Sequence, residues 1–536
     1  MKKSVFTLMA ILFMTTGFAQ VKISDDFTYT VSDPYVVVDG FIKEYFSKDD
    51  QVLAVKYGGG TFTFQKFSGD KMNEVKRNEI PKSTGFTAES WVQVGNRYYF
   101  FYSIWDKAAE KEQLFAREIG FDDCKFLDDG DKIISVDGKV SGGFNAGSIF
   151  GIGASSGGGK FKFTSSFDDS KLLVQYRIKP EERNDALNKD VIGMHVFNGD
   201  MEEVWSGNIE MPYTEKKMNN LGFSVDSEGN TYILAEVYKD ETTRRYTKEG
   251  DPNYDLELIK VNADDQELEI TKIDLKDHFI TDLGFFEGKD AEIVIAGFYG
   301  NNKRGGVDGF FMSKIVNNDL ADIKYYEVPV DVMKKYVSER AQEKMEKKDE
   351  KSDLSMSNMV LREIVFGEDG GLTMYGERYY YVETYNPQTK QTTRTYYYQE
   401  IVGASIGADG ELRWMNKFPK NQRGSAPRGG MGYYLISAGP VDYLLFLDNV
   451  KNIELPMDKY PKTHQDGQGG FLTGFKVDKA SGEAEKVSLF DTRDAKGIEL
   501  FQFNTDRIVK INNKQFSIEC YKKKKEDVMV TVTMED

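Results

Sequence analysis

Short apolar runs separated by Gly, Asp and Asn clusters recur along the whole chain, and helical periods are almost absent. In KLLVQYRI (171–178), Leu172, Val174, Tyr176 and Ile178 alternate with a second face, and ELRWMNKF (411–418) does the same with Leu412, Trp414 and Phe418. A period of two marks strands that present one face to a core. With few prolines and many Tyr and Phe, the pattern predicts an antiparallel all-β protein.

Two kinds of turn alternate between these strands. FDDSK (167–171), VDSEGN (225–230), FEGKDA (286–291), GEDGG (367–371) and AGPVD (438–442) each lead into an apolar strand. NGDME (198–202), NADDQE (262–267), NNDLAD (317–322), GADGE (407–411) and KASGE (479–483) each lead into a more charged one. The repeated order is strand, turn, inner strand, variable loop, strand, turn, outer strand, which is the grammar of a four-stranded propeller blade. Outside these five units, QVLAVKY (51–57) with TFTFQKF (61–67) supplies a first blade and the strands around GNR (95–97) a second. RIVKIN, QFSIECYKK and VMVTVTM make three strands of a last blade, whose fourth strand is FTYTV (27–31) or YVVVD (35–39). An N-terminal strand that closes the ring removes exposed sheet edges. The pattern predicts a β-propeller of eight, alternatively seven, blades. Units of about 60 residues exceed the ~40–45 of compact propeller repeats, so long loops decorate its faces.

Residues 1–19, MKKSVFTLMAILFMTTGFA, place two lysines before an apolar run from Val5 to Met14 and end on small residues at Ala19, the layout of a secretory signal peptide. The run is shorter than the ~20 residues that span a bilayer, and no later run is longer, so the expectation is one exported propeller domain over 20–536. Cys124 and Cys520 are the only cysteines. Both fall in separate blades, which favours buried free thiols over the disulfide that an oxidising compartment allows. The net charge of −17 over 536 residues argues against nucleic acid and against insertion into an anionic membrane.

Little in the chain points to catalysis. His195, His278 and His464 lack ligand-spaced partners, so no zinc site is expected, and only His195, inside IGMHVF, is expected to be packed. GASSG (153–157) matches G-x-S-x-G around Ser155, but it lies in a Gly- and Ser-rich tract (142–159) with no following helix, and the tract fails as a phosphate loop for the same reason. It reads as a connector between the second and third blades. No cofactor is expected. Calcium is a weak possibility at DDGD (128–131) and GKD (288–290), neither of which has EF-hand spacing. SVDSEGNTY (224–232) resembles the Asp-box turn of sialidase-type propellers with one extra residue between Asp226 and Gly229, a folding element remote from catalysis.

Two segments stand out. Residues 331–353 break the strand pattern with charges and helix formers, and Met333, Val337, Ala341 and Met345 form a stripe, so a helix either docks on the propeller or a partner, or stays solvated. GERYYYVETYNPQTKQTTRTYYYQEI (376–401) reads as two aromatic strands around Asn386-Pro387, a hairpin longer than a blade needs. Its tyrosines, Tyr379, Tyr380, Tyr381, Tyr385, Tyr396, Tyr397 and Tyr398, are the candidate binding residues. A ring with a polar tip suits protein interfaces and sugar stacking, and also ordinary cross-strand pairing.

The FAQ end of the leader, YYYQEIVGASIGADGELRWMNKFPKNQ (396–422), YLLFLDNVKN (443–452) and GGFLTGFKVDKASGE (469–483) together resemble uncharacterised exported propeller-like proteins of Bacteroidota. The resemblance covers about 355–535 and rests on a strand, a D-G turn, Trp414 and the K-x-Q of Lys420 and Gln422; Ala404 to Gly407 is less apolar than the strand expected there. It implies fold and a location in the periplasm or at the outer-membrane surface, and no catalytic residue. The expected function is non-enzymatic binding or scaffolding of an envelope protein partner through propeller-face loops and the Tyr hairpin. The alternative is a glycan-binding or glycan-cleaving propeller with carboxylates in the central funnel, which needs two or three such groups converging on one sugar.

Overall fold

A computed structural model describes residues 24–535 apart from 41, 82–84, 142–158, 180–186, 288–291, 304, 317–318, 321–322, 338, 350–353, 426–430, 468, 503 and 523. The leader (1–19), Ser155 with its Gly-rich tract and the acidic group at 288–290 lie outside the described residues.

The described strands form eight sheets, ordered along the chain as blades 1 to 8. Blade 1 runs through Ile42–Lys48, Gln51–Gly58, Thr61–Ser68 and Asn73–Pro81, each strand antiparallel to the next. Blade 8 takes Gln515–Lys522 and Glu526–Met534 from the C-terminal end and Phe27–Val31 from the N-terminal end, with Phe27 opposite Met534 and Val31 opposite Val530. Tyr35–Val36 extends the same edge against Asp527 and Glu526, so both candidate N-terminal segments join one blade.

Eight apolar clusters join these sheets pairwise, and each spans two neighbouring blades. The last of them sets Val52, Ala54 and Phe67 of blade 1 against Val509 and Met529 of blade 8. Sheets that pack face to face in cyclic order, with the first touching the last, form a closed eight-bladed propeller.

Packing on both faces changes the expected burial. The second strand of each blade is covered from two sides, so Thr231–Tyr238 and Ile293–Gly300 are buried at every position, and Leu172, Leu173 and Val174 of Lys171–Ile178 are all buried. The alternation read in 171–178 is a strand signal and not a record of one wet face. Ala404 and Ile406 are likewise buried.

Innermost strands carry a shared irregularity. The ladder slips between Ala88 and Ser90, Asn220 and Gly222, Ile280 and Asp282, and Leu361 and Glu363, in blades 2, 4, 5 and 6. A bulge leaves one residue unpaired and re-aims it, here Glu89, Leu221, Thr281 and Arg362.

The insertion departs from the single stripe. It forms two helices, Val330–Lys334 and Glu339–Asp349, with Tyr336 between them at φ 60°. Val332 and Met333 of the first helix join the core between blades 5 and 6, whereas the second helix buries no residue. Lys417 donates to the carbonyls of Met333 and Lys335 and so ties the first helix to blade 6.

Both cysteines are buried free thiols, Cys124 in blade 2 and Cys520 in blade 8. Asp226 accepts hydrogen bonds from the backbone N–H of Glu228 and Asn230, the Asn230 amide and the Tyr232 hydroxyl, so the Asp-box-like turn is held by one carboxylate.

Candidate functional site

Blade 6 contains the longest hairpin of the described chain, Leu372–Asn386 with Gln391–Ile406. Tyr, Val and Thr favour extended backbone. The ladder runs from Leu372 opposite Ile406 to Asn386 opposite Gln391 with one register shift, between Glu377 and Tyr379, and at its tip Asn386 Oδ1 accepts the Gln388 N–H and Lys390 takes φ 54° to close the turn. Residues up to Glu377 are buried, and from Tyr381 onward the strand is exposed.

Tyr379 faces Tyr398, Tyr380 faces Tyr397 and Tyr381 faces Tyr396, with ring centroids 4.8, 4.8 and 6.0 Å apart. Strand alternation puts Tyr379, Tyr381, Tyr385, Tyr396 and Tyr398 on one face and Tyr380 with Tyr397 on the other. The Tyr380 and Tyr397 rings are nearly coplanar in orientation, 8° apart. Farther out, Arg394 pairs with Glu383 at 2.6 Å and lies over Tyr381. Tyr381 and Tyr385 are 50% and 59% exposed.

The root of the hairpin is charged and dry. Glu377 accepts from Lys420 Nζ at 2.6 Å and from Arg362 at 3.1 Å, and Lys420 also donates to the Tyr398 carbonyl. Burial pulls the Lys420 ammonium below its ordinary range against the opposing pull of Glu377, and burial also raises the Tyr398 phenol. Arg362 lies 5.3 Å from the Tyr379 ring centroid and Lys420 5.7 Å from that of Tyr398.

Gln422 completes the anchor. Gln422–Gly424 pairs antiparallel with Tyr396–Tyr398 and parallel with His464–Gln465, while the Gln422 side chain donates to the Leu447 carbonyl and accepts the Gly432 N–H. The K-x-Q pattern is therefore a clamp on the hairpin root. The partners Arg362 and Glu377 were not legible, because a bulge aims Arg362 and the Lys420 contact spans distant sequence positions.

Histidine burial differs from the expectation. His464 is the most enclosed, with burial first and Lys420 second lowering its imidazole to about 4, and His278 sits against Tyr299 and Tyr325. His195 contacts Glu203 and the Tyr176 hydroxyl while its side chain keeps 15% exposure.

The inner strands carry carboxylates with altered protonation. Burial pushes Glu44 and Glu363 up to about 7 and Asp282 up to about 6, the last opposed by the Leu361 N–H it accepts. They come from blades 1, 6 and 5. At the tight-turn end, Phe167 of blade 3 reaches Phe366 of blade 6, with centroids 5.7 Å apart, and its N–H is held by Glu287 of blade 5. A cavity of about 220 Å³ lies between blades 7 and 8, lined by Tyr434, Ser437, Lys510, Asn512, Gln515 and Phe516 among others, and no hairpin tyrosine lines it. Among the described residues, no three His, Cys, Asp or Glu side chains are grouped to hold a metal ion. In DDGD the Asp128 oxygens accept the backbone N–H of Gly130 and Glu118.

Ring and root together define an all-β propeller that carries one overlong hairpin. No protein-family model and no curated protein sequence matches the chain. Among solved structures, it is similar to a prolyl endopeptidase at 9% identity and TM-score 0.38, covering 93% of this chain and 55% of that one. It is also similar to an uncharacterised protein of Listeria monocytogenes (9% identity, TM-score 0.35, covering 81% and 94%) and to an oligogalacturonate lyase crystallised with manganese (11%, 0.30, 84% and 97%). The chain thus spans just over half the length of that endopeptidase. Shared architecture at this level transfers no activity.

Proposed function

We propose that the protein is a non-enzymatic binding or scaffolding component of the cell envelope of a Gram-negative bacterium, in the periplasm or at the outer-membrane surface, and that the hairpin docks a protein partner. The carrying observation is the hairpin itself, which extends beyond the buried part of its blade with Tyr381, Val382 and Tyr385 exposed. Exposed aromatic surface is costly unless something covers it, and Tyr is enriched among interface anchors. Its rigid root holds the aromatic rungs in one geometry before binding, which reduces the ordering cost of association.

Export rests on the leader and on the resemblance to exported Bacteroidota proteins. No helix among the described residues is long and apolar enough to cross a membrane. Affinity purification from the native envelope tests the proposal, comparing the intact protein with a variant whose hairpin is shortened to an Asn-Gly turn after Tyr380. A partner recovered only with the intact hairpin supports it; the same partner recovered with both removes the hairpin from the interface.

A glycan-acting propeller is the second reading, favoured by the protonatable Glu44 and Glu363 on inner strands. A carboxyl that titrates near neutrality suits general acid–base work. Turnover on a glycan panel, lost in Glu44→Gln or Glu363→Gln, selects this reading over the first.

A further inference from the structure

Above its root the hairpin leaves a strand edge open. The neighbouring strand Met359–Phe366 begins at Met359, opposite Arg378, and beyond it the Tyr379 N–H is taken up on that side by the Asn358 carbonyl at 2.9 Å. Backbone groups alternate between the two sides of a strand. The N–H and C=O of Tyr381, Glu383 and Tyr385 therefore point the same way as those of Tyr379, away from Gln391–Ile406. The second strand of the hairpin keeps the same parity, since Tyr396 and Tyr398, opposite Tyr381 and Tyr379, turn their outer side to Gln422–Gly424. No described strand takes up the outward groups of Tyr381, Glu383 and Tyr385.

An open edge is a template for another strand, and proteins blunt such edges with charges, proline and bulges. The outermost strand of blade 1, Asn73–Pro81, carries Glu74, Lys76, Arg77 and Glu79, ends on Pro81 and slips in register, and that of blade 3, Glu203–Thr214, slips twice. From Tyr379 to Asn386 the ladder has no slip and one charge, Glu383, which Arg394 neutralises at 2.6 Å. Exposed apolar side chains lie on both faces of this strand, Tyr381 and Tyr385 on one and Val382 on the other. A helix laid on one face would leave the other face and the edge uncovered. An added strand covers all three, because its own side chains alternate in the same way.

We propose that the hairpin binds an extended segment of another protein by β-strand addition along Tyr381–Tyr385. The inference rests on the docking function and names the kind of partner it takes. Main-chain hydrogen bonds to Tyr381, Glu383 and Tyr385 set the register, and apolar side chains of the incoming strand flank the two rings on one face and Val382 on the other. A second copy of this chain is a poor occupant. Two-fold antiparallel pairing that uses all three residues sets the two Glu383 side chains directly opposite each other and brings together chains of net charge −17. The segment is therefore neutral or basic where it crosses Glu383.

Photo-crosslinking in the native cells, with p-benzoylphenylalanine in place of Thr384, identifies the bound segment by mass spectrometry; the segment is then synthesised as a peptide and titrated onto the purified protein. Glu383→Pro removes an outward N–H that the hairpin does not use and places a ring on the edge, which an edge strand tolerates. Glu383→Thr removes the same charge and keeps the N–H. The expected result is that Glu383→Thr binds the peptide within about fivefold of wild type, whereas Glu383→Pro binds at least about tenfold more weakly with the melting temperature held. On the wild-type protein the peptide should slow hydrogen exchange at the Tyr381, Glu383 and Tyr385 amides. Undiminished binding by Glu383→Pro, unslowed exchange at those amides, or a crosslink between two copies of this chain would each overturn the proposal. A partner lost with Tyr381→Ser and Tyr385→Ser but kept by Glu383→Pro leaves docking standing and removes strand addition, whereas no crosslink at all rejects both.

Discussion

Lys420 and Glu377 form an ion pair in which neither side chain is reached by solvent, and that pair lies beneath the aromatic rungs of the hairpin. Removing one member leaves the other charge buried, which typically costs ~3–5 kcal/mol, whereas replacing both by apolar groups of similar volume is often neutral. Lys420→Met is therefore expected to lower stability by about that amount, and adding Glu377→Leu should recover only part of the loss because Arg362 then loses its carboxylate. Denaturant unfolding of the two single variants and the double variant checks this.

Asp527 gives the ring closure a pH dependence. Both of its carboxylate oxygens lack a hydrogen-bond partner among the described residues, and burial, reinforced by Glu519, pushes its carboxyl up to about 6. Lys56, Lys43 and Arg507 oppose the rise, and Tyr35 and Tyr45 donate to Glu519 nearby. Burial alone would raise Glu519 as well, but Lys56 and Lys43 hold it well below the usual carboxylate range. With Asp527 raised above its unfolded value of ~3.9, its favourable contribution is complete below about pH 4 and is lost as pH rises through about 6. Asp527→Asn should therefore stabilise the protein at pH 8, by on the order of 2 kcal/mol, and change little at pH 4. Unfolding free energies at the two pH values decide it.

Asp226 gathers four hydrogen bonds in one buried turn. Asp226→Ala strands the Tyr232 hydroxyl and the Asn230 amide away from water, so a loss of about 2–4 kcal/mol is expected. The turn lies in blade 4, and partner recovery through the blade 6 hairpin should be unchanged once the variant is folded. A thermal melt paired with a binding assay separates the two effects.

Turn chemistry made the architecture legible, because five units repeat the same Asp- and Gly-based turns and the N-terminal strand was needed to complete the last sheet. Burial was harder to read. Leu173 lies between the alternating residues of 171–178 and is as buried as they are, since a propeller strand is packed from both sides. The stripe from Met333 to Met345 suggested one helix, but the chain reverses at Tyr336 and only the first turn or so docks. His195 was expected to be the packed histidine because it sits in an apolar strand, whereas His464 is buried by a loop pairing with Gln422 that no local pattern announces. The seven tyrosines were visible as a group. The ions beneath them were not, because Arg362, Glu377 and Lys420 meet only after a bulge and a long-range return of the chain.

The most direct test of the proposed docking function is crosslinking of the protein in its native cells, wild type against Tyr381→Ser with Tyr385→Ser. Both rings are at least half exposed, so the melting temperature should stay within a few degrees of wild type. Interface tyrosines commonly contribute more than ~1 kcal/mol each, so recovery of the partner should fall by about tenfold or more. Undiminished recovery with the fold intact would contradict the hairpin as the contact surface.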